Sequence, residues 1–368
     1  MITKELIAPK SIVVVGASNN ITKPGGKLLK NLMDNNFKGD LFVVNPQAGE
    51  IQGIKSYSSV SDLPSVEMAV LAIPAAACVD AVEILATQKS TKGFIIISAG
   101  FSEESEEGRR LEQQIVKIVE ENNACLIGPN CIGVITYAHT SVFTTPIPKL
   151  EQMSCDLISS SGATAVFIME SGIPKGLHFA SVFSVGNSAQ NGVEEILEFM
   201  DEVFNPVTST RVKLLYIETI KNPDKLLKHA SSLIRKGCKI AAIKAGSSEA
   251  GSRAAASHTG AMANSDLAVE ALFRKAGIVR CYGREELTTV ANVFHCKPMK
   301  GKRLAIITHA GGPAVMLTDA LESGGLHIPH IEDCEAKTRL KNKLFPGSSV
   351  ENPIDFLATG NAEQLAAI

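Results

Sequence analysis

An α/β architecture of consecutive parallel sheets is the fold class that the sequence predicts, and three observations lead to it. The chain has 368 residues, which corresponds to two or three domains of roughly 150 residues each. Its hydrophobic content is 45%, enough for substantial cores. Short, continuously apolar segments alternate with helical patterns along the chain, and strand–helix–strand repetition produces a parallel, doubly wound sheet.

The first region contains five predicted strands with helices between them. The strands lie at residues 11–15, 41–44, 68–73, 94–98 and 126–128, and the helices at 25–36, 76–89 and 104–122. Parallel sheets bind ligands at the carboxyl ends of their strands. The residues at those ends are small, polar or turn-forming, as expected of a ligand crevice: Gly16-Ala-Ser18, Asn45-Pro46, Pro74, Ala99-Gly100 and Gly128-Pro-Asn-Cys131.

A second α/β region follows a linker predicted at 144–149, and a third begins near Lys302. The second has strands at 155–159, 181–185, 212–218 and 239–244, with helices at 163–172, 192–203, 224–236 and 265–276. The third opens with a strand at 303–308 and a helix that runs through Glu322. Segments 158–166 and 307–315 both read as strand, glycine turn and helix start, which favours domain repetition over a coincidental match of a common turn. The third region is short for such a fold, so we expect a truncated chain.

Composition excludes several classes of protein. The net charge is -2, tryptophan is absent and aromatic residues make up 5%, which disfavours a nucleic-acid surface. The 8 cysteines include no CxxC pair and no zinc spacing, as is typical of reduced thiols without a metal. The N-terminus lacks a signal peptide, and the uncharged stretch 122–148 is interrupted by Pro, Asn and Thr. We therefore expect a cytoplasmic protein without a membrane span.

The turn after the first strand, Gly16-Ala-Ser18, is typical of phosphate binding at the start of the next helix. It does not match the GxGxxG dinucleotide motif. That motif also requires an acid after the second strand to bind the ribose, and Asn45 occupies this place. An NAD-dependent reductase is therefore disfavoured, and a generic strand–helix turn is the alternative.

Four features suggest phosphoryl chemistry, each beside a simpler interpretation. Ser161 and Gly162 lie at the start of a predicted helix, which is either an anion-binding site or a plain N-cap. Glu218 ends a strand, either to orient an imidazole or as a solvated terminus. Cys131 lies near a thioester or is a buried hydrophobe, and we do not assign it as a nucleophile. His258 lies near the end of a Gly/Ala/Ser-rich loop that runs from Lys244 to Ala261, which favours a carried nucleophile over a loop histidine bound to backbone.

Together these motifs resemble the NDP-forming acyl-CoA synthetases, specifically the α-subunit type of ADP-forming acetate–CoA ligase, related to the succinyl-CoA synthetase α subunit. The resemblance covers essentially the whole chain. Its motifs occur in the family's order: Val15-Gly-Ala-Ser18, Val44-Asn-Pro46, Ile73-Pro74, Ser98-Ala-Gly-Phe101, Gly128-Pro-Asn-Cys131, Ser161-Gly162, Ser184-Val-Gly-Asn187, Tyr216-Ile-Glu218, Ser257-His-Thr-Gly-Ala261, Thr308-His-Ala-Gly-Gly-Pro313 and Asn352-Pro-Ile-Asp355.

The resemblance implies a Rossmann-like CoA-binding domain at 1–145 and two flavodoxin-like domains of the succinyl-CoA-synthetase type. The first of these, 150–297, carries the phosphohistidine loop, and the second, 300–368, is expected to be incomplete. Positions that match the family's CoA site are Gly16, Ala17, Ser18, Asn45, Pro46, Ile73, Pro74, Gly100, Asn130 and Cys131. Positions that match its phosphoryl-transfer site are His258, which is phosphorylated, Glu218, which supports it, and Ser161, Gly162 and Gly260, which bind phosphate.

The implied reaction is acyl-CoA + ADP + phosphate ⇌ carboxylic acid + CoA + ATP, through an acyl phosphate and phosphorylated His258. CoA, phosphate and a small carboxylic acid would bind this chain. ADP or ATP with magnesium would bind an ATP-grasp β subunit or a fused C-terminal domain, which we do not find here. An oligomer is expected. The alternative from another class is a non-catalytic acyl-CoA-sensing module, such as one fused to an acetyltransferase.

The sequence departs from the family pattern after Gly186-Asn187. The family shows an acidic run there, whereas this chain reads Ser-Ala-Gln-Asn-Gly192 with its acids delayed to Glu194 and Glu195. A change of substrate preference or of a contact between domains is the expected consequence.

Overall fold

The computed structural model describes residues 1–248, 250, 251, 253 and 265–368. These residues form two compact units, Met1–Cys296 and Lys297–Ile368, and each unit is described by itself. Among the described residues, none of the helices has both the length and the apolar character needed to cross a bilayer.

The first unit begins with a seven-stranded sheet. Its strands are β1 (Ser11–Val15), β2 (Asp40–Val44), β3 (Glu50–Ile51), β4 (Ile54–Tyr57), β5 (Met68–Leu71), β6 (Gly93–Ile96) and β7 (Cys125–Ile127). The order across the sheet is β3-β4-β2-β1-β5-β6-β7, and only β3 is antiparallel to its neighbour. β1 pairs in parallel with β2 on one side and β5 on the other. This arrangement confirms the predicted Rossmann-like sheet.

Both faces of this sheet are covered, because its central strands are buried and, apart from Ser11, carry no polar side chains. All residues of β1, β5, β6 and β7 are buried. The long helix Glu106–Glu121 begins at Ser105, whose Oγ accepts a hydrogen bond from the Gly108 amide at 3.0 Å. The helices of this part of the unit are Lys4–Ile7, Pro24–Asp34, Ala75–Gln88 and Glu106–Glu121, with a 3₁₀ turn at Val60–Asp62.

A second sheet of seven strands completes the first unit. Its strands are β8 (Gly133–Ile135), β9 (Thr140–Val142), β10 (Leu150–Ser159), β11 (Phe179–Ser184), β12 (Val212–Ile217), β13 (Lys239–Lys244) and β14 (Val279–Cys281). They lie in the order β14-β13-β12-β10-β11-β8-β9, parallel except for β8 and β9. Its helices are Gly162–Gly172, Val193–Glu202, Pro223–Arg235, Asp266–Ala276 and Arg284–His295, with a 3₁₀ turn at Ile173–Lys175.

The hairpin of β8 and β9 links the two sheets of the unit. It precedes residue 145 in the chain but pairs with β11 in the second sheet. Asn31 on a helix of the first sheet donates a hydrogen bond to the carbonyl of Val142, at 2.7 Å. The division of the chain near residue 145 stays a prediction, and this hairpin precedes it in the chain although it pairs with the second sheet.

The carboxyl ends of the two sheets meet at a pair of turns. The Asn187 amide, after β11, donates to the Pro129 carbonyl after β7, at 3.0 Å. The Ala189 amide donates to Gly128 at 3.1 Å. A Cβ atom on Gly186 would lie 2.1 Å from the Pro129 oxygen, so only glycine permits this approach. The ligand-binding edges of both sheets therefore face one common region.

The second unit contains a short parallel pair, β15 (Ile307–Thr308) and β16 (Ile354–Asp355). Its helices are Gly311–Ser323, Glu335–Lys343 and Ala362–Ala367. The strand predicted at 303–308 is shorter than expected, because Arg303 forms only an isolated bridge with His327. A small core of Leu344, Val350, Ile354 and Phe356 stabilises the unit. Its assignment as a second flavodoxin-like domain stays a prediction.

Candidate functional site

The turn after β1 is built around Gly16. This residue has a φ of +85°, and a Cβ atom on it would lie 2.4 Å from the Ala72 carbonyl oxygen. The Gly16 amide donates to the Val44 carbonyl at 3.0 Å, which joins the ends of β1 and β2. The turn therefore requires glycine and packs closely against the neighbouring strand ends.

Asn45 holds the same turn through its side chain. Its Nδ2 donates to the Ala17 carbonyl at 2.9 Å, and its Oδ1 accepts from the Gln47 amide at 2.8 Å. An aspartate could not donate the first of these bonds. Gln52, which the sequence analysis did not single out, adds bonds of 2.8 Å from Nε2 to the carbonyls of Ser18 and Gly26.

The ends of β5, β6 and β7 are joined in a similar way. The Ser98 hydroxyl donates to the Ile73 carbonyl at 2.5 Å, and the Asn130 amide donates to the Ser98 carbonyl at 2.9 Å. The Gly100 amide donates to Oε1 of Glu103 at 2.7 Å. The predicted CoA-site positions therefore lie along one sheet edge, from the Gly16 turn to the Asn130 turn.

A cavity of about 400 Å³ lies where the two sheets meet. Five of the predicted site residues line it together, although they come from three separate segments of the chain: Asn130, Cys131, Ser161, Gly162 and Glu218. The lining residues do not include the Gly16, Asn45, Ile73 or Gly100 positions. The tertiary structure thus places one end of the predicted CoA edge beside the predicted phosphate turn.

Ser161 and Gly162 form the floor of this cavity at a helix N-terminus. The Ser161 Oγ accepts a bond from the Thr164 amide at 3.3 Å, so Ser161 is an N-cap. The first amides of the helix Gly162–Gly172 have no intrahelical acceptor and carry partial positive charge. The N-cap interpretation is therefore confirmed, and the capped helix start faces the cavity; its role as an anion site stays a prediction.

Glu218 follows β12 on another wall of the cavity. Its backbone amide lies 3.4 Å from the Ser160 hydroxyl oxygen, which accepts its hydrogen bond. Burial raises the pKa of nearby Tyr216, and the negative charge of Glu218 raises it further. Glu218 therefore lies one residue beyond the end of the strand, with its backbone next to Ser160.

Cys131 is a buried thiol rather than an activated one. Its Sγ lies 3.4 Å from the Ile96 carbonyl oxygen, and its side chain is 4% exposed. Burial raises its pKa to about 12. A thiol in this environment remains protonated at neutral pH and is a poor nucleophile. The structure therefore favours the interpretation of Cys131 as a small buried hydrophobe.

Asn187 is a cavity residue whose part the sequence analysis missed. Its Nδ2 donates to Glu112 Oε2 at 3.0 Å, to Ser102 Oγ at 3.2 Å and to the Glu103 carboxylate. It was quoted only within the motif Ser184-Val-Gly-Asn187. Its partners come from a distant segment, so no local pattern could have identified them.

The neighbouring Glu103 carboxylate remains ionised despite its position. Burial raises its pKa, but hydrogen bonds from Asn187 and from the amides of Gly100 and Phe101 outweigh burial and lower the pKa below its usual value. This wall of the cavity is therefore negatively charged at neutral pH.

The segment that departs from the family's acidic run lies at a contact between the two sheets. The side chain of Gln190 accepts a bond from the Leu126 amide at 2.7 Å. Buried Asn191 donates from Nδ2 to the Leu126 carbonyl at 2.9 Å. This segment therefore contacts the end of β7 in the first sheet, while a changed substrate preference or domain contact stays a prediction.

His258 and Gly260, the proposed phosphorylated residue and one phosphate ligand, lie outside the described residues. So does the remainder of the segment 254–264. Within the described parts of the chain, no group of three or more His, Cys, Asp and Glu side chains is arranged to hold a metal ion.

The two sheets correspond to two known families. Residues 10–137 match the family described as "CoA binding domain", and residues 152–294 match the "Succinyl-CoA ligase like flavodoxin domain". A CoA-binding Rossmann-like part followed by a succinyl-CoA-ligase-like flavodoxin part places the chain among proteins with the domain architecture of CoA ligases.

Relatives along the whole chain narrow this class. The chain is 35% identical over 356 residues to the α subunit of ADP-forming acetate–CoA ligase II from Pyrococcus furiosus, covering 96% of this chain and 76% of that subunit. It is also 35% identical to ADP-forming acetate–CoA ligase I from Archaeoglobus fulgidus, covering 99% of this chain and 52% of that protein. The chain thus spans about half of some relatives and about three quarters of others.

A solved structure agrees with this result. The dinucleotide-forming acetyl-coenzyme A synthetase 1 of Ca. Korarchaeum cryptofilum, in complex with phosphate and ADP, superposes with a TM-score of 0.85 at 30% identity. The superposition covers 97% of this chain and 76% of that chain. The chain belongs to the ADP-forming acyl-CoA synthetase family, as a relative of the acetate–CoA ligase α subunits. This membership confirms the predicted ligase class and favours it over the acyl-CoA-sensing alternative.

Proposed function

We propose that this chain binds CoA and catalyses the acyl transfer to phosphate and the phosphoryl transfer to His258 in an ADP-forming acyl-CoA synthetase. The observation that carries the proposal is the shared cavity: the Asn130 turn of the CoA-binding part, the helix start at Gly162 and Glu218 all line it. A thioester that reaches from the CoA edge into this cavity would meet a site suited to phosphate.

In the first step, an oxygen of phosphate attacks the thioester carbonyl carbon. A carbon–oxygen bond forms, the carbon–sulfur bond breaks, and CoA leaves as the thiolate, which takes up a proton. The amides at the start of the helix Gly162–Gly172 stabilise the negative charge on the phosphate oxygens. The product of this step is an acyl phosphate.

In the second step, an imidazole nitrogen of His258 attacks the phosphorus atom. A nitrogen–phosphorus bond forms, and the carboxylate leaves with the bridging oxygen. Glu218 stabilises the imidazole in its cationic and phosphorylated forms through its negative charge. Splitting the reaction in this way replaces one difficult displacement with two easier ones.

The nucleotide half of the reaction is assigned to a partner. Relatives of this chain are named as α subunits, and a related structure contains ADP and phosphate. We propose that ADP and magnesium bind an ATP-grasp β subunit or a fused segment, where phosphorylated His258 delivers its phosphoryl group. The substrate is a small carboxylic acid, and the family includes ligases named for acetate and for 4-hydroxybutyrate.

Phosphoryl labelling tests the proposal. The purified chain is incubated with acetyl-CoA and ³²P-labelled inorganic phosphate, and acid-labile, alkali-stable label is measured on the protein. We expect His258→Ala to lose the label and to retain CoA binding by calorimetry, whereas His330→Ala, at an exposed position of the second unit, keeps both. Labelling of His258→Ala at the parent level would show the mechanism to be wrong.

A second arm of the experiment addresses the sensing alternative. An ATP-grasp β subunit of an acetate–CoA ligase is added together with magnesium and ³²P-labelled ATP. Transfer of label to the parent chain supports a catalytic role. Tight CoA binding by calorimetry, with no label on the protein from either phosphate or ATP, would favour the acyl-CoA-sensing module instead.

A further inference from the structure

The cavity presents one cationic side chain among its described lining residues. Lys221 lies three residues after Glu218, in the segment between β12 and the helix Pro223–Arg235, and it lines the cavity. The other charged residues of that lining are carboxylates: Glu103, Glu112, Glu194 and Glu218. An anionic substrate entering this cavity therefore meets an excess of negative charge unless a cation offsets it.

The carboxylates of the wall are already engaged with neutral groups. Glu103 and Glu112 accept bonds from the amide of Asn187. One oxygen of Glu194 accepts from the backbone amides of Lys221 and Asn222, at 2.7 and 3.1 Å. These bonds hold the carboxylates in place and leave their negative charge uncompensated, because the donors are neutral.

The ammonium group of Lys221 is fixed by two carbonyl oxygens. Its Nζ donates to the carbonyls of Asn187 at 3.0 Å and Ser188 at 2.7 Å. An ammonium group has three N–H donors, so one remains for a further acceptor. Within the described part of the chain, the contacts given for this nitrogen are these two carbonyls and no carboxylate oxygen, so an ion pair does not offset its charge there.

The two carbonyls hold Lys221 at the edge where the sheets meet. Asn187 belongs to the turn that is bonded to Pro129, next to the Asn130 turn of the CoA-binding part. The same cavity contains the helix start at Gly162. A phosphate in this cavity could therefore accept bonds from helix amides while it interacts with the lysine charge.

We propose that Lys221 binds the attacking phosphate and stabilises its charge during acyl phosphate formation. The inference rests on the proposed function and adds a residue to its first step. The lysine acts as a point charge toward a phosphate oxygen, and the carbonyls of Asn187 and Ser188 keep it in position before the substrate arrives. The negative wall of Glu103 and Glu112 disfavours other anions bound without such a contact.

A purely structural role for Lys221 makes a different prediction. If the side chain only ties the Asn187–Ser188 turn, a neutral donor of similar length should replace it. Lys221→Gln keeps an amide donor for these carbonyls and removes the charge. Lys221→Arg keeps the charge. Lys228→Gln removes one charge from an exposed position of the following helix, outside the cavity, and is the matched control.

The experiment measures phosphate-dependent release of CoA from acetyl-CoA by chromatography, over a range of phosphate concentrations. We expect Lys221→Gln to raise the KM for phosphate about tenfold or more, in keeping with the loss of a charge-assisted hydrogen bond. Lys221→Arg should recover most of this loss, and Lys228→Gln should match the parent. The affinity for CoA, measured by calorimetry, should stay the same in all four proteins and shows that the variants are folded.

A parent-like KM for phosphate in Lys221→Gln would overturn the inference while leaving the proposed function intact. If the parent itself releases no CoA in the presence of phosphate, the proposed function is wrong. Calorimetric titration with inorganic phosphate then still decides the role of Lys221: weaker binding by Lys221→Gln than by Lys228→Gln supports an anion site, and equal binding overturns it.

Discussion

The side-chain amide of Asn187 donates a hydrogen bond to Glu112, with 3.0 Å between Nδ2 and Oε2. This bond joins the turn after β11 in the second sheet to the helix Glu106–Glu121 beside the first sheet. The backbone carbonyl of Asn187 meanwhile accepts a bond from Lys221. One residue thus connects the negative wall of the cavity with its cation, so changes at Asn187 should affect both stability and the site.

We expect Asn187→Asp to lower the free energy of unfolding by about 2 kcal/mol at pH 7, because it replaces a donor with a third carboxylate beside Glu103 and Glu112. The pKa of Glu103 is lowered in the folded parent, so this carboxylate stabilises the fold above pH about 4.5, and the contribution is lost as pH falls through its folded pKa. The penalty of the variant should therefore shrink toward acid pH. Urea unfolding at pH 7 and pH 4 measures it.

The control for this change is Asn205→Asp. Asn205 is exposed, and its Oδ1 accepts a bond from the Val207 amide at 2.8 Å, a role that aspartate retains. We expect little change in stability there. Equal losses for the two variants, or a loss at Asn187 that does not depend on pH, would contradict the electrostatic explanation.

His139 should make the fold sensitive to acid. Its Nε2 lies 2.8 Å from the Leu6 carbonyl oxygen, and its Nδ1 is buried without a hydrogen-bond partner among the described residues. Burial lowers its pKa to about 4, although the bond to Leu6 opposes this. As pH falls, His139 is therefore protonated in the unfolded chain before it is protonated in the folded one. Its contribution to the free energy of unfolding is fully present above pH about 6.5 and is lost as pH falls toward 4.

The measurement for His139 compares pH profiles of unfolding. We expect the free energy of unfolding of the parent to fall by about 3 kcal/mol more than that of His139→Gln between pH 7 and pH 4. His178→Gln, at a half-exposed position, should follow the parent profile. If the free energies of unfolding of the parent and of His139→Gln fall in parallel with pH, protonation of His139 does not cause the expected loss of stability.

Gly162→Ala should disturb the helix start that faces the cavity. A Cβ atom there would lie 2.4 Å from Cγ2 of Ile132, a branched side chain that is 6% exposed and has little room to move. We expect a loss of about 1–3 kcal/mol in the free energy of unfolding and a loss of phosphate-dependent CoA release. Chemical denaturation and chromatography of released CoA measure the two effects.

Two further variants test this explanation. Gly312→Ala adds a methyl group near the start of the helix Gly311–Ser323, where nothing lies within 4 Å, so its stability should not fall. Ile132→Ala removes the side-chain atom that a Cβ at position 162 would meet. In that background, Gly162→Ala should lower the free energy of unfolding much less than it does in the parent. If Gly162→Ala lowers the free energy of unfolding equally with and without the Ile132→Ala change, a steric origin is contradicted.

Alkylation should distinguish the buried thiol of Cys131 from the exposed ones. The pKa of Cys131 is raised to about 12 by burial, whereas Cys296 and Cys334 are exposed. We expect iodoacetamide at pH 8 to modify Cys296 and Cys334 in the folded protein, and Cys131 only after denaturation. Mass spectrometry of peptides measures the sites. Rapid labelling of Cys131 in the folded chain would favour an activated thiol.

Much of the fold could be predicted from local patterns. The strands β1 and β13 have the predicted bounds, because a continuously apolar segment between turn residues is recognisable without its neighbours. The short strands β3, β8, β9 and β14 were missed. A strand of two or three residues has little pattern of its own and is defined by the partner with which it pairs, as β8 is by β11.

The sequence by itself determined the α/β class, the order of the strands along the chain and the residue types at their carboxyl ends. Gly16 could be recognised as part of a turn because it directly follows a predicted strand. Only the tertiary structure decided that Asn130, Gly162 and Glu218 line one cavity, and that Asn187 and Lys221 complete it. Those residues lie far apart in the chain, and their contacts arise from the packing of two sheets, which no local pattern specifies.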